Sequence, residues 1–360
     1  MARVLALAQS SELGGAELAL LRIARRLPAH GFEIWLATPG DGPLAEAAGE
    51  AGIPVRRVQV GGLSRRSWAG LARGLPQARR LVRRLAPDLV YLNGAVTLRA
   101  WPALHGATLV PHLHDLVVKP PRPWASDRFW RATPAVMCAA GAVVESAEAA
   151  GAPRDRLRDV GAPVALAPPA PRPAWARGGP VIGFVGRIEP AKGVLDLLEA
   201  APAVLDRHPD ARLVLAGGPS LQADLGYSAQ VNAARADFGE SVVVLGPVPD
   251  ATALMPWFDV LAMPSLKEAF GTVAAEALAA GTPVVVSDRG GMKEYVTDRC
   301  GAVVPASNPT ALAAALLGVL DRAPRMADAA REAAAPFAAD RVAAGVAAVL
   351  DEALAAHGRA

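Results

Sequence analysis

The chain has 360 residues, of which 52% are hydrophobic, and carries 37 Lys and Arg against 34 Asp and Glu. This length suggests two or three domains, and the apolar content supplies core material for each of them. No apolar run reaches the roughly 18 residues that span a bilayer, which excludes an integral membrane protein. The two cysteines, Cys138 and Cys300, form no metal or disulfide pattern, so we expect a cytoplasmic protein.

The first half alternates short apolar segments with helical stretches, which is typical of parallel α/β domains. Its clearest strands are predicted at residues 3–8, 34–37, 55–58 and 89–92. Gly14 and Gly15 follow the first of these strands, where the absence of a side chain lets backbone amides approach an anion or a sugar. An ordinary tight turn is the alternative interpretation of these two glycines.

Positive charge is concentrated in the first half, where residues 1–165 hold 21 Lys and Arg but 13 Asp and Glu. The stretch from Arg56 to Arg84 contains nine arginines and no acidic residue, with Trp68 and several leucines between them. Such a basic amphipathic segment suits an anionic membrane surface or a lipid-diphosphate acceptor. A solvated helix is the alternative, and nucleic acid is disfavoured because no recognised binding module accompanies the charge. Peripheral association with the inner face of the membrane therefore stays open.

Two histidines stand in the segment His112-Leu113-His114-Asp115, directly after the apolar residues 107–110. Strand alternation predicts both side chains on one side of the sheet. With six histidines in the chain and no cysteine cluster beside these two, a metal site is disfavoured. We predict no metal and no cofactor.

A proline-rich stretch divides the chain and predicts an interdomain linker at residues 166–180. A second α/β run begins at Val181, with strands predicted at residues 212–216, 242–245, 260–263 and 284–287. The Ala-rich tail predicts a final helix. We therefore expect domains at residues 1–165 and 181–336, followed by a C-terminal helical segment at residues 337–360.

The second run opens with a strand, a glycine turn at Gly186 and then a helix, and Arg187 and Lys192 lie in the turn. A guanidinium forks onto two phosphate oxygens and an ammonium adds a point charge, so the two could neutralise a leaving diphosphate. Solvated loop cations are the alternative interpretation.

Glu268 and Glu276 stand eight positions apart at a predicted strand-to-helix junction, with Phe270, Gly271 and Thr272 between them. A helix start holds a phosphate through its unbonded amides and dipole, and carboxylates accept hydrogen bonds from sugar hydroxyls. The pair therefore favours a nucleotide-sugar site. Alternatively, both acids interact only with the positive end of the helix.

These motifs occur together and in order, and with them the chain resembles the retaining glycosyltransferases of the GT-B fold, family 4, over nearly its whole length. The shared blocks are the Glu268 and Glu276 element and residues 186–193, 213–219, 281–287 and 290–294. The resemblance implies two Rossmann-like parallel-sheet domains facing a cleft, with a C-terminal helix that crosses back to the first domain. The first domain would bind the acceptor and the second the nucleotide sugar.

The resemblance also implies roles for single residues. Glu276 would bind the nucleotide ribose, Glu268 the transferred sugar, and Arg187 with Lys192 the diphosphate. His114 would face the donor sugar, whereas His112 is expected to be packed. The full donor-site prediction is Gly14, Gly15, Gly186, Arg187, Lys192, Gly217, Glu268, Phe270, Gly271, Thr272 and Glu276, with His114 added as catalytic.

The expected activity is retaining transfer of a hexose from a nucleoside diphosphate sugar to a hydroxyl of a glycan, glycolipid or lipid-linked intermediate, as in polysaccharide biosynthesis. The chain contains no Asp-x-Asp sequence, which argues against a metal-bridged diphosphate, so two cations would replace the metal. Two alternatives remain, a nucleotide-sugar epimerase of similar architecture and a non-catalytic nucleotide-sugar-binding subunit.

Overall fold

The computed structural model describes residues 1–59, 65–104, 106–176, 178–219 and 225–357. For residues 65–72, 225 and 357, which lie in helices, it describes the backbone and not the side chains. Within the described residues the chain forms two compact units, unit 1 being Met1–Pro163 with Phe337–Ala360 and unit 2 being Val164–Pro336. Among the described residues, no helix is long and apolar enough to cross a membrane.

Each unit is built on a parallel sheet. The strands of unit 1 are β1 (Ala2–Leu7), β2 (Phe32–Thr38), β3 (Val55–Arg57), β4 (Leu89–Asn93), β5 (Thr108–Leu113), β6 (Val136–Cys138) and β7 (Leu157–Asp159). Those of unit 2 are β8 (Val181–Val185), β9 (Arg212–Ala216), β10 (Val242–Gly246), β11 (Val260–Met263), β12 (Val284–Ser287) and β13 (Gly301–Val304). Most of these strands are apolar along their whole length because helices cover both faces of a parallel sheet.

The helices follow the strands in alternation. They are α1 (Gly15–Ala24), α2 (Pro43–Glu50), α3 (Arg65–Leu85), α4 (Asp127–Ala132), α5 (Gly141–Ala149), α6 (Val194–Arg207), α7 (Leu225–Ala236), α8 (Thr272–Ala280), α9 (Pro309–Leu320), α10 (Ala327–Ala334) and α11 (Ala339–His357). Short 3₁₀ helices lie at Leu27–His30, Ala95–Ala103, Arg122–Ala125, Arg154–Arg156, Ala174–Ala176, Pro190–Lys192, Gly239–Ser241, Ala251–Trp257, Gly291–Glu294, Ala323–Arg325 and Ala335–Phe337.

The strand order fixes where a ligand would bind. In unit 1 the order is β3-β2-β1-β4-β5-β6-β7, and in unit 2 it is β10-β9-β8-β11-β12-β13. Both orders reverse direction once, between β1 and β4 and between β8 and β11. Ligands of open α/β sheets bind beyond the carboxyl ends of the strands at such a reversal. The loops that follow these four strands are therefore the first places to look for function.

The last helix packs in the core of unit 1. Val346 and Leu350 of α11 are fully buried beside Leu20 of α1 and the first strands. Outside this apolar contact, Nε of Arg26 donates to Oδ1 of Asp340 at 2.6 Å. Burial of an aliphatic side chain of this size stabilises the folded state by about 1.5–3 kcal/mol, so α11 contributes substantially to the stability of unit 1.

The proline-rich stretch that composition predicts as a linker is packed in unit 2. The amide of Ala167 donates to Oγ1 of Thr252 at 2.9 Å. The amide of Ala170 donates to the carbonyl oxygen of Ala253, and Nε1 of Trp257 donates to the carbonyl oxygen of Ala170. The ring of Trp175 stacks on Phe258 with 5.7 Å between centroids. These contacts give the stretch a fixed course along unit 2.

Candidate active site

The reversal point of unit 2 brings together the two loops that carry Lys192 and Glu268. Lys192 follows β8 and Glu268 follows β11, and the two strands are hydrogen-bonded neighbours. Nζ of Lys192 lies 2.7 Å from Oε2 of Glu268, and both side chains are less than a fifth exposed. A charged hydrogen bond with this little water around it is stronger than a surface ion pair. The structure thus joins two predicted site residues in one contact.

Two glycines, one in the loop after β8 and one in the loop after β12, let the backbone pass close to the loop after β11. Gly193 has a φ of +66°, and a Cβ there would lie 2.1 Å from the carbonyl oxygen of Pro264. Gly290 has a φ of +79°, and a Cβ there would lie 1.7 Å from the carbonyl oxygen of Glu268. Side chains at these positions are therefore excluded, and the backbone next to Lys192 and Glu268 is held in place.

Arg187, the second predicted cation, is paired differently. Its Nη2 lies 2.9 Å from Oε1 of Glu189, and the Arg187 side chain remains 63% exposed. An exposed cation on a short loop can change partner at little cost, because surface ion pairs contribute at most about 1 kcal/mol. Arg187 therefore remains available to an incoming anion.

The helix α8 begins as the sequence predicts and carries Glu276 inside unit 2. Its N-cap residue, Gly271, has a φ of +85° and no side-chain cap, and the first amides of a helix lack intrahelical partners. Glu276, in the second turn of α8, is 7% exposed. Thr272 begins the helix, and Phe270 is buried just before it.

Tyr295 fixes the turn before α8 and was not predicted. Its hydroxyl lies 3.0 Å from the carbonyl oxygen of Phe270 and 2.9 Å from that of Gly271. Burial, reinforced by the negative charge of Glu268, raises the pKa of Tyr295 well above its ordinary value, so the phenol stays a donor. The signal available in the sequence was its position directly after the block at residues 290–294.

The predicted glycines after β8 and β9 have a structural reason of their own. A Cβ on Gly217 would lie 1.8 Å from the carbonyl oxygen of Gly186, and the amide of Gly186 donates to the oxygen of Ala216 at 3.0 Å. The two backbones touch where the strands end. This contact alone accounts for glycine at position 217.

In unit 1 the carboxyl ends of β4 and β5 place Asn93 beside His114. Oδ1 of Asn93 lies 2.8 Å from Nε2 of His114, and Nδ2 of Asn93 donates to the carbonyl oxygen of Ala16 at 3.2 Å. Because the amide oxygen is an acceptor, Nε2 of His114 carries the proton and Nδ1 has the lone pair. Burial lowers the pKa of His114 to about 4, so the ring is neutral. Asn93, the last residue of β4, was not predicted.

His112 lies on the same side of β5, as strand alternation predicts, with 4.0 Å between its ring centroid and that of His114. It is fully buried, and its Nδ1 is hydrogen-bonded to the hydroxyl of Tyr91. Burial, and then the nearby His114, lower the pKa of His112 well below its ordinary value. Among the described residues, no group of His, Cys, Asp and Glu is arranged to hold a metal.

The loop after β1 leads into α1, where Gly14 is the N-cap and Gly15 the first residue. A Cβ on Gly15 would meet no atom within 4 Å, and its φ is not positive, so nothing in the described part of the fold requires glycine there. Glu17, one turn further, is 3% exposed. Its Oε1 has no hydrogen-bond partner among the described residues.

The electrostatics of Glu17 set it apart from the surface acids. Burial raises the pKa of Glu17 to about 7. The hydrogen bond from its own backbone amide lowers this pKa, and the negative charge of Asp115 raises it. A Cβ on Gly14 would lie 3.0 Å from its Oε2. The polar cluster at the reversal point of unit 1 therefore contains a carboxyl group that titrates near neutral pH.

The basic stretch from Arg56 to Arg84 spans β3 and α3. The side chains of Arg65, Arg66, Trp68 and Leu71 lie outside the described residues. All seven arginines of this stretch with described side chains are exposed, namely Arg56, Arg57, Arg73, Arg79, Arg80, Arg83 and Arg84. The structure thus leaves the predicted membrane contact untested.

Models of known protein families match both halves of the chain. Residues 13–166 match the family described as Glycosyltransferase Family 4, and residues 179–322 match Glycosyl transferases group 1. The D-inositol 3-phosphate glycosyltransferase of Nocardia farcinica is 32% identical over 88% of this chain and 80% of its own length. The chain belongs to the family 4 (group 1) glycosyltransferases. A second such enzyme, from Catenulispora acidiphila, is 40% identical, but the match spans 36% of its length and 41% of this glycosyltransferase.

Solved structures resemble this glycosyltransferase in fold. Anabaena Alr3699/HepE, crystallised in complex with UDP-glucose, has a TM-score of 0.79 at 22% identity, covering 97% of this chain and 99% of that one. The sucrose-phosphate synthase of Thermosynechococcus elongatus has a TM-score of 0.78 at 20% identity, covering 99% of this chain and 100% of that one. The predicted GT-B fold, with two Rossmann-like units, is confirmed.

Proposed function

We propose that this glycosyltransferase moves a hexose from a nucleoside diphosphate sugar to an acceptor hydroxyl, with retention of the anomeric configuration and without a metal. The observation that carries the proposal is the Lys192 and Glu268 contact of 2.7 Å at the reversal point of unit 2. A cation suited to a diphosphate and a carboxylate suited to a sugar hydroxyl are adjacent there. The name of the Nocardia farcinica relative supports glycosyl transfer, and the UDP-glucose in the HepE crystals supports a sugar-nucleotide donor.

In this proposal the donor diphosphate binds Lys192, Arg187 and the first amides of α8. Lys192 then shares its charge between the phosphate and Glu268, while Arg187 leaves Glu189. Fixed positive charge that meets the developing negative charge of the leaving group stabilises the transition state by several kcal/mol in a site that excludes water. Glu268 accepts hydrogen bonds from the sugar, and Glu276 accepts them from the ribose.

Retention follows from a front-face reaction. The bond from the anomeric carbon to the phosphate oxygen breaks, and the acceptor oxygen forms its bond to that carbon on the same face. The proton of the acceptor hydroxyl passes to the departing phosphate, which leaves as a nucleoside diphosphate. Arg187 and Lys192 supply the positive charge, and the chain has no Asp-x-Asp sequence that would bind a bridging metal.

The donor is tested by thermal shift with nucleoside diphosphates and their sugars, in the presence of EDTA. A ligand at 100 times its dissociation constant stabilises by about 2.7 kcal/mol. We expect Glu276→Gln to abolish the shift, and the exposed Glu240→Gln of the same unit to keep it. Unchanged binding in Glu276→Gln would contradict the assigned site.

The reaction itself is tested by NMR of the product anomer with the donor so identified. A product of the same anomeric configuration, formed in EDTA, is expected. An inverted product, or activity that returns only when a divalent metal is added, would overturn the mechanism. Epimerised nucleotide sugar formed without an acceptor would identify an epimerase, and binding without turnover on any acceptor would identify a binding subunit.

A further inference from the structure

A cavity of about 650 Å³ lies in unit 1 beyond the carboxyl ends of β4 and β5. Its walls come from α3, through Leu75, from the 3₁₀ helix Ala95–Ala103 that follows β4, and from residues 119–123, which follow β5. The volume is within the range of about 300–1,000 Å³ found for small-molecule sites. It lies at the same edge of the sheet as Asn93 and His114 and takes no part in the donor site.

The lining combines two kinds of surface. Most of it is apolar, with Leu75, Val96, Trp101 and a series of prolines. The polar side chains in the lining are the cations Arg99, Lys119 and Arg122, and no acidic residue contributes among the described residues. A sugar without an apolar part would bury little hydrocarbon against these walls. A molecule with a hydrocarbon part and an anionic head would pack on the apolar residues and pair with the cations.

The neighbouring surface extends this character. Val118, which immediately precedes Lys119, is 74% exposed, and the exposed arginines of the C-terminal half of α3 add positive charge on the helix that forms one wall. An anion approaching this side of unit 1 is attracted from a distance, because exposed like charges add their fields within about a Debye length.

We propose that this cavity binds a phosphorylated amphiphile, with its hydrocarbon chain against Leu75, Val96 and Trp101 and its phosphate near Arg99, Lys119 and Arg122. The assignment of this molecule as the lipid-linked acceptor rests on the proposed function. Its phosphate positions the hydroxyl-bearing head at the end of the sheet, where His114 and Asn93 lie. A diphosphate has the same chemistry and takes the same place.

The experiment measures calorimetric binding of three probes to the full chain, without donor: decyl phosphate below its critical micelle concentration, decanol and inorganic phosphate. We expect decyl phosphate to bind at least tenfold more tightly than either of the others, because it alone uses both surfaces. Equal affinity for inorganic phosphate, or for decanol, would overturn the proposal. Binding to anionic vesicles but not to monomeric decyl phosphate would also overturn it, in favour of a membrane surface.

Variants assign the binding to the cavity. Lys119→Gln with Arg122→Gln removes two exposed cations, and we expect affinity for decyl phosphate to fall at least tenfold while decanol binding is unchanged. Val96→Asn lies on the half-buried wall and should weaken both. The matched control is Arg128→Gln, an exposed arginine of the same unit outside the lining. Unchanged affinity in the Lys119 and Arg122 double variant would refute the site.

The failures of the two proposals are distinguishable. If decyl phosphate does not bind but the nucleotide shift and its loss in Glu276→Gln are observed, the lipid-linked acceptor is excluded and the transferase stands. If decyl phosphate binds in the cavity but no nucleotide binds to unit 2, the proposed function fails, and with it the assignment of the amphiphile as acceptor.

Discussion

Nζ of Lys192 and Oε2 of Glu268 lie 2.7 Å apart although the two residues are 76 positions apart in the chain. The contact joins the loops after β8 and β11, which the sheet order makes neighbours. It also means that each group already has a partner of opposite charge before a donor binds. In the donor-free protein, the charge of each side chain is therefore compensated by that of the other.

The first prediction is that the two residues act as a coupled pair in donor binding. Lys192→Met should weaken nucleoside diphosphate binding at least tenfold, and Glu268→Gln should change it less, since the positive charge remains. In the double variant the effects should depart from additivity by about 0.5–3 kcal/mol, as expected for residues in direct contact. Titration calorimetry of the four proteins measures this coupling.

The matched control is Lys267→Met, which removes a lysine that is adjacent in sequence but exposed. It should bind donor as the unaltered protein does. Strict additivity of Lys192→Met and Glu268→Gln would show that the contact has no energetic role in donor binding.

The second prediction concerns Tyr295, whose hydroxyl holds the carbonyl oxygens of Phe270 and Gly271. Tyr295→Phe removes the hydrogen bonds of this hydroxyl, while the carbonyl oxygen of Gly271 still accepts from the amides of Ala274 and Ala275. The loss should therefore cost about 0.5–1.5 kcal/mol of stability. Because the turn also precedes α8, donor affinity should fall as well. Thermal unfolding and donor titration together measure both effects.

Tyr227→Phe is the comparison, because the Tyr227 hydroxyl accepts from the amide of Leu195 in the same unit, at 3.4 Å, and belongs to α7. It should change stability without changing donor affinity. Equal loss of donor affinity in both variants would mean that Tyr295 acts only through the general stability of unit 2.

Much of the fold could be predicted because the apolar runs are short and bounded by glycine or proline. The strands predicted at residues 212–216, 260–263 and 284–287 have the observed bounds. β6 was missed because it lies in a long apolar run, where periodicity does not separate strand from helix. β7 and β13 were missed because they are short and contain charged or small residues.

The candidate site could be predicted only as a set of residue types at strand ends. Sequence spacing gives no information about which charged side chain faces which, so the pairing of Lys192 with Glu268 and of Arg187 with Glu189 needed coordinates. Asn93 bonds to the carbonyl oxygen of Ala16 and to the His114 ring, and Tyr295 bonds to the carbonyl oxygens of Phe270 and Gly271. Such contacts leave no spacing pattern in one sequence.

The third prediction follows from the raised pKa of Glu17, about 7 against an ordinary 4.5. The folded protein holds this proton more tightly than the unfolded chain, so stability should decrease as the pH rises from about 4.5 to 7. The contribution of Glu17 to this decrease is about 3 kcal/mol. Glu17→Gln should remove it and be more stable than the unaltered protein above pH 7.

Urea unfolding at several pH values measures the difference between Glu17→Gln and the unaltered chain. The exposed Glu12, on the same loop, provides the control variant Glu12→Gln, whose difference should not vary with pH in this way. A pH-independent effect of Glu17→Gln would show that its carboxyl group is not the one that titrates.

The fourth prediction has the opposite sign and concerns His114, whose pKa is lowered to about 4. The unfolded chain binds this proton near pH 6.5 but the folded one does not, so stability should be lost as the pH falls from about 6.5 to 4. The contribution of His114 is about 3 kcal/mol. His114→Gln, which keeps a donor for Asn93, should flatten this acid limb.

The exposed histidine His30 supplies the control, and His30→Gln should leave the acid limb unchanged. If His114→Gln and His30→Gln behave alike, the acid sensitivity of unit 1 has another origin, such as the fully buried His112.

The fifth prediction concerns α11, which packs in the core of unit 1. Leu350 is fully buried there, and Leu350→Ala should cost about 2–5 kcal/mol through lost burial and the cavity left behind. Gly345, in the same helix, is exposed, and a Cβ there meets nothing within 4 Å. Gly345→Ala should therefore stabilise by up to about 1 kcal/mol, because alanine favours a helix interior.

Hydrogen exchange of the amides in β1 and β4 measures both effects at the sheet that α11 covers. Protection should fall in Leu350→Ala and should rise or stay the same in Gly345→Ala. The two variants would thus differ although their positions lie five residues apart in one helix. If Leu350→Ala leaves the protection of β1 and β4 intact, the helix is not part of the cooperative core of unit 1. The apolar contacts of Val346 and Leu350 would then be a surface attachment that opens independently of the sheet.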